Sequence, residues 1–157
     1  MQKSFKFLAQ FMLLFSVVII GLSSCDEKDP VSPAEEHFEA EGLVLRTSGI
    51  KLAEIFRGET SDTLSLLKDI LGDHIEVTFY DSEKKEIAPP NDEHIKFAWT
   101  VDDPLILGVH QHEGEEGGFE FHLKGLKVGE TQIEFFIKHN DHNDYRSGKF
   151  PVKVTSK

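Results

Sequence analysis

The chain has 157 residues, with 28 acidic side chains against 17 basic ones and a formal net charge of -11 at pH 7. So acidic a surface repels phosphate backbones and excludes nucleic acid as a partner. The single cysteine allows no internal disulfide, and the only methionines are Met1 and Met12, so soft-metal chemistry such as copper(I) handling has no ligands further along the chain.

Residues 1–24 carry Lys3 and Lys6, no acids, and an apolar run from Phe11 to Leu22 broken only by Ser16 and Gly21. This pattern predicts a secretory signal peptide, and the run is too short for a comfortable membrane-spanning helix. It ends in Leu22-Ser23-Ser24-Cys25, which resembles the lipobox of bacterial lipoproteins. The resemblance implies that Cys25 is lipidated and opens the mature chain, holding the protein at a membrane face without spanning it. Cleavage would remove two of the 17 basic residues and none of the acids, which moves the formal charge to -13. All eight histidines stay in the mature part. A bound metal would therefore meet imidazole and carboxylate, which suits zinc or another divalent cation.

Residues 25–40 contain Asp26-Glu27-Lys28-Asp29, Pro30, Ser32, Pro33 and Glu35-Glu36. They read as an acidic, extended tether, too polar and proline-rich to bury a core. Acids beside the cysteine resemble a surface-export signal of some Gram-negative lipoproteins, while Asp26 resembles an inner-membrane retention signal in others. The expected address is the outer membrane or cell surface of a Gram-negative bacterium, lipid-anchored, with a periplasm-facing orientation left open.

From residue 41 to 157 apolar and polar residues alternate, with Gly, Pro, Asn and Asp clusters about every ten residues, the rhythm of antiparallel strands in a sandwich. Strands are predicted over Leu43–Arg46, Lys51–Arg57 and Thr63–Leu67, although Thr63–Leu71 also fits a short helix. Ile75, Val77 and Phe79 face inward on the next strand, followed by the Asp81–Lys85 turn. Ile95, Phe97, Trp99 and Val101 form another inward face, ended by Asp102-Asp103-Pro104 because proline cannot donate to a ladder. Leu105, Leu107 and Val109 then face in, as do Phe119, Phe121 and Leu123 after the Gly114–Gly118 turn. Ile133, Phe135 and Ile137 follow, and Phe150, Val152 and Val154 close the chain. The expected fold is all-β: one antiparallel sandwich of about seven to nine strands.

The stretches "FAWTVDDPLILGV", "GFEFHLKGLKVGETQIEFFI" and "GKFPVKVTS", with the Gly125–Thr131 turn and the Val152/Val154 strand, resemble bacterial immunoglobulin-like domains of the invasin and intimin-associated kind. So does "IEVTFYDSEKKEI"; together the likeness runs from Ile75 to Thr155. It implies an Ig-like sandwich without catalytic residues, in a family whose members serve as stalks, adhesive modules and binding platforms. The usual tandem array is absent, and one copy is too short for a stalk. The weight moves to a binding module.

Strand parity sends His110, His112, Glu120 and His122 to the solvent face. A hairpin around Gly114–Gly118 in the register that sets His110 opposite His122 gathers three imidazoles and a carboxylate, a donor set for tetrahedral zinc. The tandem repeat His139-Asn140-Asp141 and His142-Asn143-Asp144 is a second candidate. On a straight strand His139 and His142 face opposite ways, so they converge, with Asp141 or Asp144, only if the chain bends between them. A polar hairpin loop accounts for the same residues. His37 is either tether decoration or a further ligand. A helix-hand calcium loop does not fit, because Tyr145 and Arg146 fall where an oxygen ligand and a glycine are needed.

No Gly-x-Ser-x-Gly elbow, phosphate-cradling glycine loop or His-Glu-x-x-His helix is present, so no enzyme is expected. The reading is a lipid-anchored envelope binding module whose small ligand is a divalent metal. The alternative is a structural or adhesive module for another envelope protein or for a surface glycan, with Tyr80 and Tyr145 as the candidate exposed rings.

Overall fold

A computed structural model describes residues 37–157; the expected signal peptide, the expected lipidation at Cys25 and residues 25–36 of the expected tether lie outside the described residues. Because successive side chains on a strand point to opposite faces, the apolar alternation lays down strands wherever turn residues permit. Ten follow in chain order: β1 (Gly42–Thr47), β2 (Ile50–Phe56), β3 (Leu64–Leu67), β4 (Ile75–Tyr80), β5 (Glu86–Ile87), β6 (Ile95–Val101), β7 (Leu107–His110), β8 (Glu120–Gly125), β9 (Gly129–His139) and β10 (His142–Thr155).

They form two sheets packed as a β-sandwich. One has the order β2-β1-β4-β8-β7, with the two-residue β5 also paired to β4; the other is β3-β10-β9-β6. The count exceeds the expected seven to nine, since β5 is a stub after the Asp81–Lys85 turn and pairs only at Phe79 and Tyr80. One pairing also departs from the antiparallel expectation: β3 lies parallel to β10, Leu64 beside Val152. A parallel neighbour needs a long connection, and here almost the whole sandwich lies between the two strands.

The choice between strand and helix at residues 63–71 falls to strand, because Val152–Thr155 offers Leu64–Leu67 a ladder. Beyond it the Lys68 amide donates to Thr155 O, Asp69 to Gly125 O and Gly72 to Leu123 O, each at 2.8 Å. The segment thus steps from β3, the edge of one sheet, to β8 of the other. Gly125 permits the approach: a Cβ there would meet Leu67 O and Val154 Cγ1 at 2.8 Å.

The core is aromatic at its centre. Phe97 stacks on Phe135 at 5.3 Å and 13°, Phe121 sits 5.3 Å from Phe135, and Phe150 meets Phe135 at 5.9 Å. Leu43, Leu45, Ile55, Val77, Leu123, Ile133, Ile137 and Val152 fill the space around them. Burying each such ring or branched chain contributes about 1.5–3 kcal/mol, which is why the alternation is legible at all.

Leu105 is the exception to the inward list, at 71% exposure. Asp103 caps a tight turn, its carboxylate taking the Leu105 amide and its carbonyl the Ile106 amide, so the strand begins only at Leu107. Trp99 and Val101 are half-buried on the rim of the core. Tyr80 and Tyr145 are 8% and 6% exposed, which removes the two rings expected to offer a glycan platform. At the other end of the described chain, Phe38 packs edge-on against Phe79 at 5.0 Å and Ala40 lies against the same core. Residues 37–40, assigned to the tether by composition, are part of the sandwich.

Candidate metal centre

The tandem His-Asn-Asp repeat forms the connection between β9 and β10. The turn consists of Asn140 and Asp141 alone, with Asn140 at φ 52°, a left-handed conformation that Asn tolerates. A two-residue turn makes the flanking residues cross-strand partners, and His139 stands opposite His142. The bend that the ligand reading required is present. Spacing that separates two side chains on a straight strand brings them together here.

One residue later the register slips: Asn143 pairs with Lys138 and Tyr145 with Ile137, leaving Asp144 as an extra residue. A bulge of this kind re-aims a side chain. Asp144 turns under the two histidines, and its side chain is fully buried. His37, 105 residues before His142, closes over the top from the lead-in to β1. The group therefore draws on the first strand's approach in one sheet and the last hairpin of the other.

Nδ1 of His37, Nε2 of His142 and Oδ1 of Asp144 form a near-equilateral triangle: 2.9 Å from His37 to Asp144, 3.0 Å from His142 to Asp144 and 3.2 Å between the imidazoles. With metal–ligand bonds of 2.0–2.1 Å, tetrahedral zinc sets its ligand atoms about 3.3 Å apart. One proton per ring leaves one edge of the triangle without a hydrogen bond. If both rings donate to the carboxylate, the His37–His142 edge opposes two N–H groups.

His139 supplies the fourth atom. Its Nδ1 lies 3.6 Å from Asp144 Oδ2 and is buried without a hydrogen-bond partner among the described residues. A buried polar atom left unpaired costs on the order of 1–3 kcal/mol unless something meets it, and a cation would. One ligand atom from each of His37, His139, His142 and Asp144 falls within 4.8 Å of all the others. Burial pushes the Asp144 carboxyl toward a higher pKa, but the Phe38 amide at 3.1 Å and the His37 ring outweigh it and hold the group below its ordinary value. Asp144 is thus an anion with one oxygen fixed from behind, the support that ligating carboxylates need. Asp141, exposed in the turn, stays outside the group.

The second set of candidates gathers on β7 and β8. His110 pairs with His122 in the register expected. His112 Nε2 lies 3.1 Å from His122 Nε2, while His122 Nδ1 lies 3.0 Å from Gly72 O. Pairing stops at His110, so Glu120 does not stand opposite His112; its carboxylate lies 3.2 Å from His74 Nε2 instead. His74 stacks on His122 at 5.1 Å. Among the described residues two ligand atoms converge here, against four at the sandwich end.

Sequence reasoning left His37 undecided and gave His74 no role. Phe38, an aromatic residue straight after an acidic run, is the local signal that the chain has reached the core at His37. The Asp144 bulge has no signal in the sequence.

The fold and site together describe a two-sheet sandwich with a histidine–aspartate cluster at one end. No protein-family model and no curated protein match the chain. Among solved structures it is similar to domains 4 and 5 of the S-layer protein SbsC, at 22% identity over 60% of this chain and 48% of that one, with a TM-score of 0.39. A structure of SbsC domains 4–9 gives 20% identity, 62% and 13% coverage, and a TM-score of 0.41. The chain thus spans less than half of each of these S-layer structures. Scores of this size do not equate the folds, and the function rests on this chain's own residues.

Proposed function

We propose that the protein is a lipid-anchored module of the cell envelope, built as an Ig-like domain, that binds one divalent metal ion of the zinc class through His37, His139, His142 and Asp144. The observation that carries this reading is the triangle of ligand atoms 2.9–3.2 Å apart, completed by the buried Nδ1 of His139, which has no partner among the described residues. Three imidazoles and one carboxylate suit zinc, a borderline ion that prefers nitrogen and oxygen donors where thiolates are absent. Four protein ligands make a closed site, whereas catalytic zinc keeps a position for water. Binding, not hydrolysis, is therefore the role assigned.

Isothermal titration of the full-length chain in mild detergent with zinc tests the site. The expected result is one tight equivalent that disappears in Asp144→Asn and His142→Ala. Wild-type protein that takes up no tight zinc, or an Asp144→Asn variant that binds as tightly as wild type, would overturn it.

A second reading, docking to another envelope protein, is favoured by one observation. Leu52, Leu67 and Ile70 are exposed at 46%, 45% and 37% around a groove that also includes Leu64 and Leu66. Recovery of a stable partner from native membranes in the presence of chelator supports it; its loss in Leu52→Asp and Leu67→Asp would tie the partner to this groove.

A further inference from the structure

We infer that the β7–β8 hairpin carries a second, solvent-open site for a divalent transition-metal ion, with Nε2 of His112 and Nε2 of His122 as its inner ligands. It shares no residue with the cluster at the sandwich end.

The tautomer of His122 is set by the fold. Gly72 O can only accept, and it lies 3.0 Å from His122 Nδ1, so the proton of the neutral ring sits on Nδ1 and the lone pair on Nε2. Metal-ligating histidines are prepared in this way, the second ring nitrogen donating to a backbone carbonyl. The Gly72 carbonyl is itself held in place, because the Gly72 amide donates to Leu123 O where the chain crosses between sheets. His122 is thus an oriented, half-buried donor rather than a freely rotating surface ring.

His112 Nε2 approaches that lone pair at 3.1 Å, close to the ~3.3 Å edge of a tetrahedral imidazole site. Two more imidazoles flank the pair. His110, cross-strand from His122, has its ring centre 5.6 Å from that of His112, and His74 lies over His122. Both are exposed and reach the ion by rotamer change, and water fills the remaining positions. No buried carboxylate backs this site, since Glu120 is exposed and turned to His74.

The donor set decides the ligand class. An all-imidazole site open to water imposes no geometry, so affinity follows the usual order for divalent ions, with copper(II) above nickel and zinc. Tetragonal copper(II) also tolerates water in its outer positions.

The experiment isolates the site by working in the triple variant His37→Ala/His142→Ala/Asp144→Asn, which removes three of the four donors of the sandwich-end cluster. Copper(II) titrated into that full-length variant and read by electron paramagnetic resonance should give one equivalent with nitrogen hyperfine structure. His112→Ala, an exposed position, should weaken binding at least tenfold, and His122→Ala should abolish the signal. Absence of copper(II) binding in the triple variant, or affinity unchanged when His112→Ala is added to it, would overturn the inference and leave the His112–His122 contact as a hydrogen bond. Because the parent variant lacks the first site, failure here leaves the zinc result untouched.

Discussion

The two histidine clusters use the same side chain on the same sandwich, but what lies beneath them differs. At the sandwich end a bulge drives a carboxylate under the imidazoles, out of water, and a peptide N–H fixes it from behind. On β7 and β8 the histidines stand on the solvent face with a backbone carbonyl in support, and the Glu120 carboxylate is turned to His74. Four donor atoms converge in the first case and two in the second. The number of imidazoles is similar; the number that the backbone immobilises is not. Affinity is expected to follow the second quantity, because each donor already held in place is one whose ordering is not charged against binding.

The sharpest way to break the comparison is Asp144→Asn, which keeps the shape and removes the charge. Zinc affinity by calorimetry should fall by more than the roughly 100-fold that loss of a supporting partner costs, while copper(II) binding at His112 and His122 persists. Next in size is stabilisation by the ion. At zinc a hundredfold above Kd, the gain is about 2.7 kcal/mol, and scanning calorimetry should show the melting temperature rising by roughly 10 °C for a domain of this size. Chelator should reverse the rise, and His37→Ala should remove most of it.

A smaller effect separates acid loss of fold from loss of metal. Glu54 accepts from Lys51 at 2.7 Å, Lys84 at 2.9 Å and Tyr80 at 2.8 Å, which together bring its pKa down to about 2. A depressed carboxylate contributes stability that is present above the usual pKa of 4.5 and is lost as pH falls from there toward 2. Glu54→Gln should flatten the acid limb of the stability curve in that window without changing zinc affinity at neutral pH.

The smallest effect distinguishes two buried polar atoms without partners among the described residues, His139 Nδ1 and Tyr145 Oη. Burial pushes the Tyr145 hydroxyl's pKa up, and nothing in the sandwich accepts its proton. Tyr145→Phe removes an unpaired group at little loss of volume, so the melting temperature should stay level or rise slightly and zinc binding should not change. His139→Phe should lower zinc affinity instead.

Much of this fold was legible because a half-buried strand writes its two faces into alternate residues. Ile75, Val77 and Phe79, and Ile133, Phe135 and Ile137, face the core as the alternation placed them, whereas Tyr80, placed outward, is buried. Leu105 was misread because the Asp103 turn interrupts the strand without interrupting the pattern. The parallel seat of Leu64–Leu67 depends on a strand 88 residues further along, which local periodicity does not encode. The site divides the same way. Asn and Asp between His139 and His142 announced a turn. His37 reaches its partners across 105 residues, and the choice of Asp144 over Asp141 was made by a bulge.

The lead-in to β1 and the β9–β10 hairpin serve different sheets and meet where His37 and Phe38 reach His142 and Asp144. An ion held by His37, His139 and His142 is therefore a reversible crosslink in a chain with no second cysteine, closing a loop whose entropy alone is worth about 4–5 kcal/mol in the chain-entropy treatment of disulfides. It also fixes a load path. Tension drawn through the chain before His37 reaches the coordination bonds before it reaches the β1 ladder, so the metal would act as a mechanical fuse, protecting the first strand from being peeled out of its sheet.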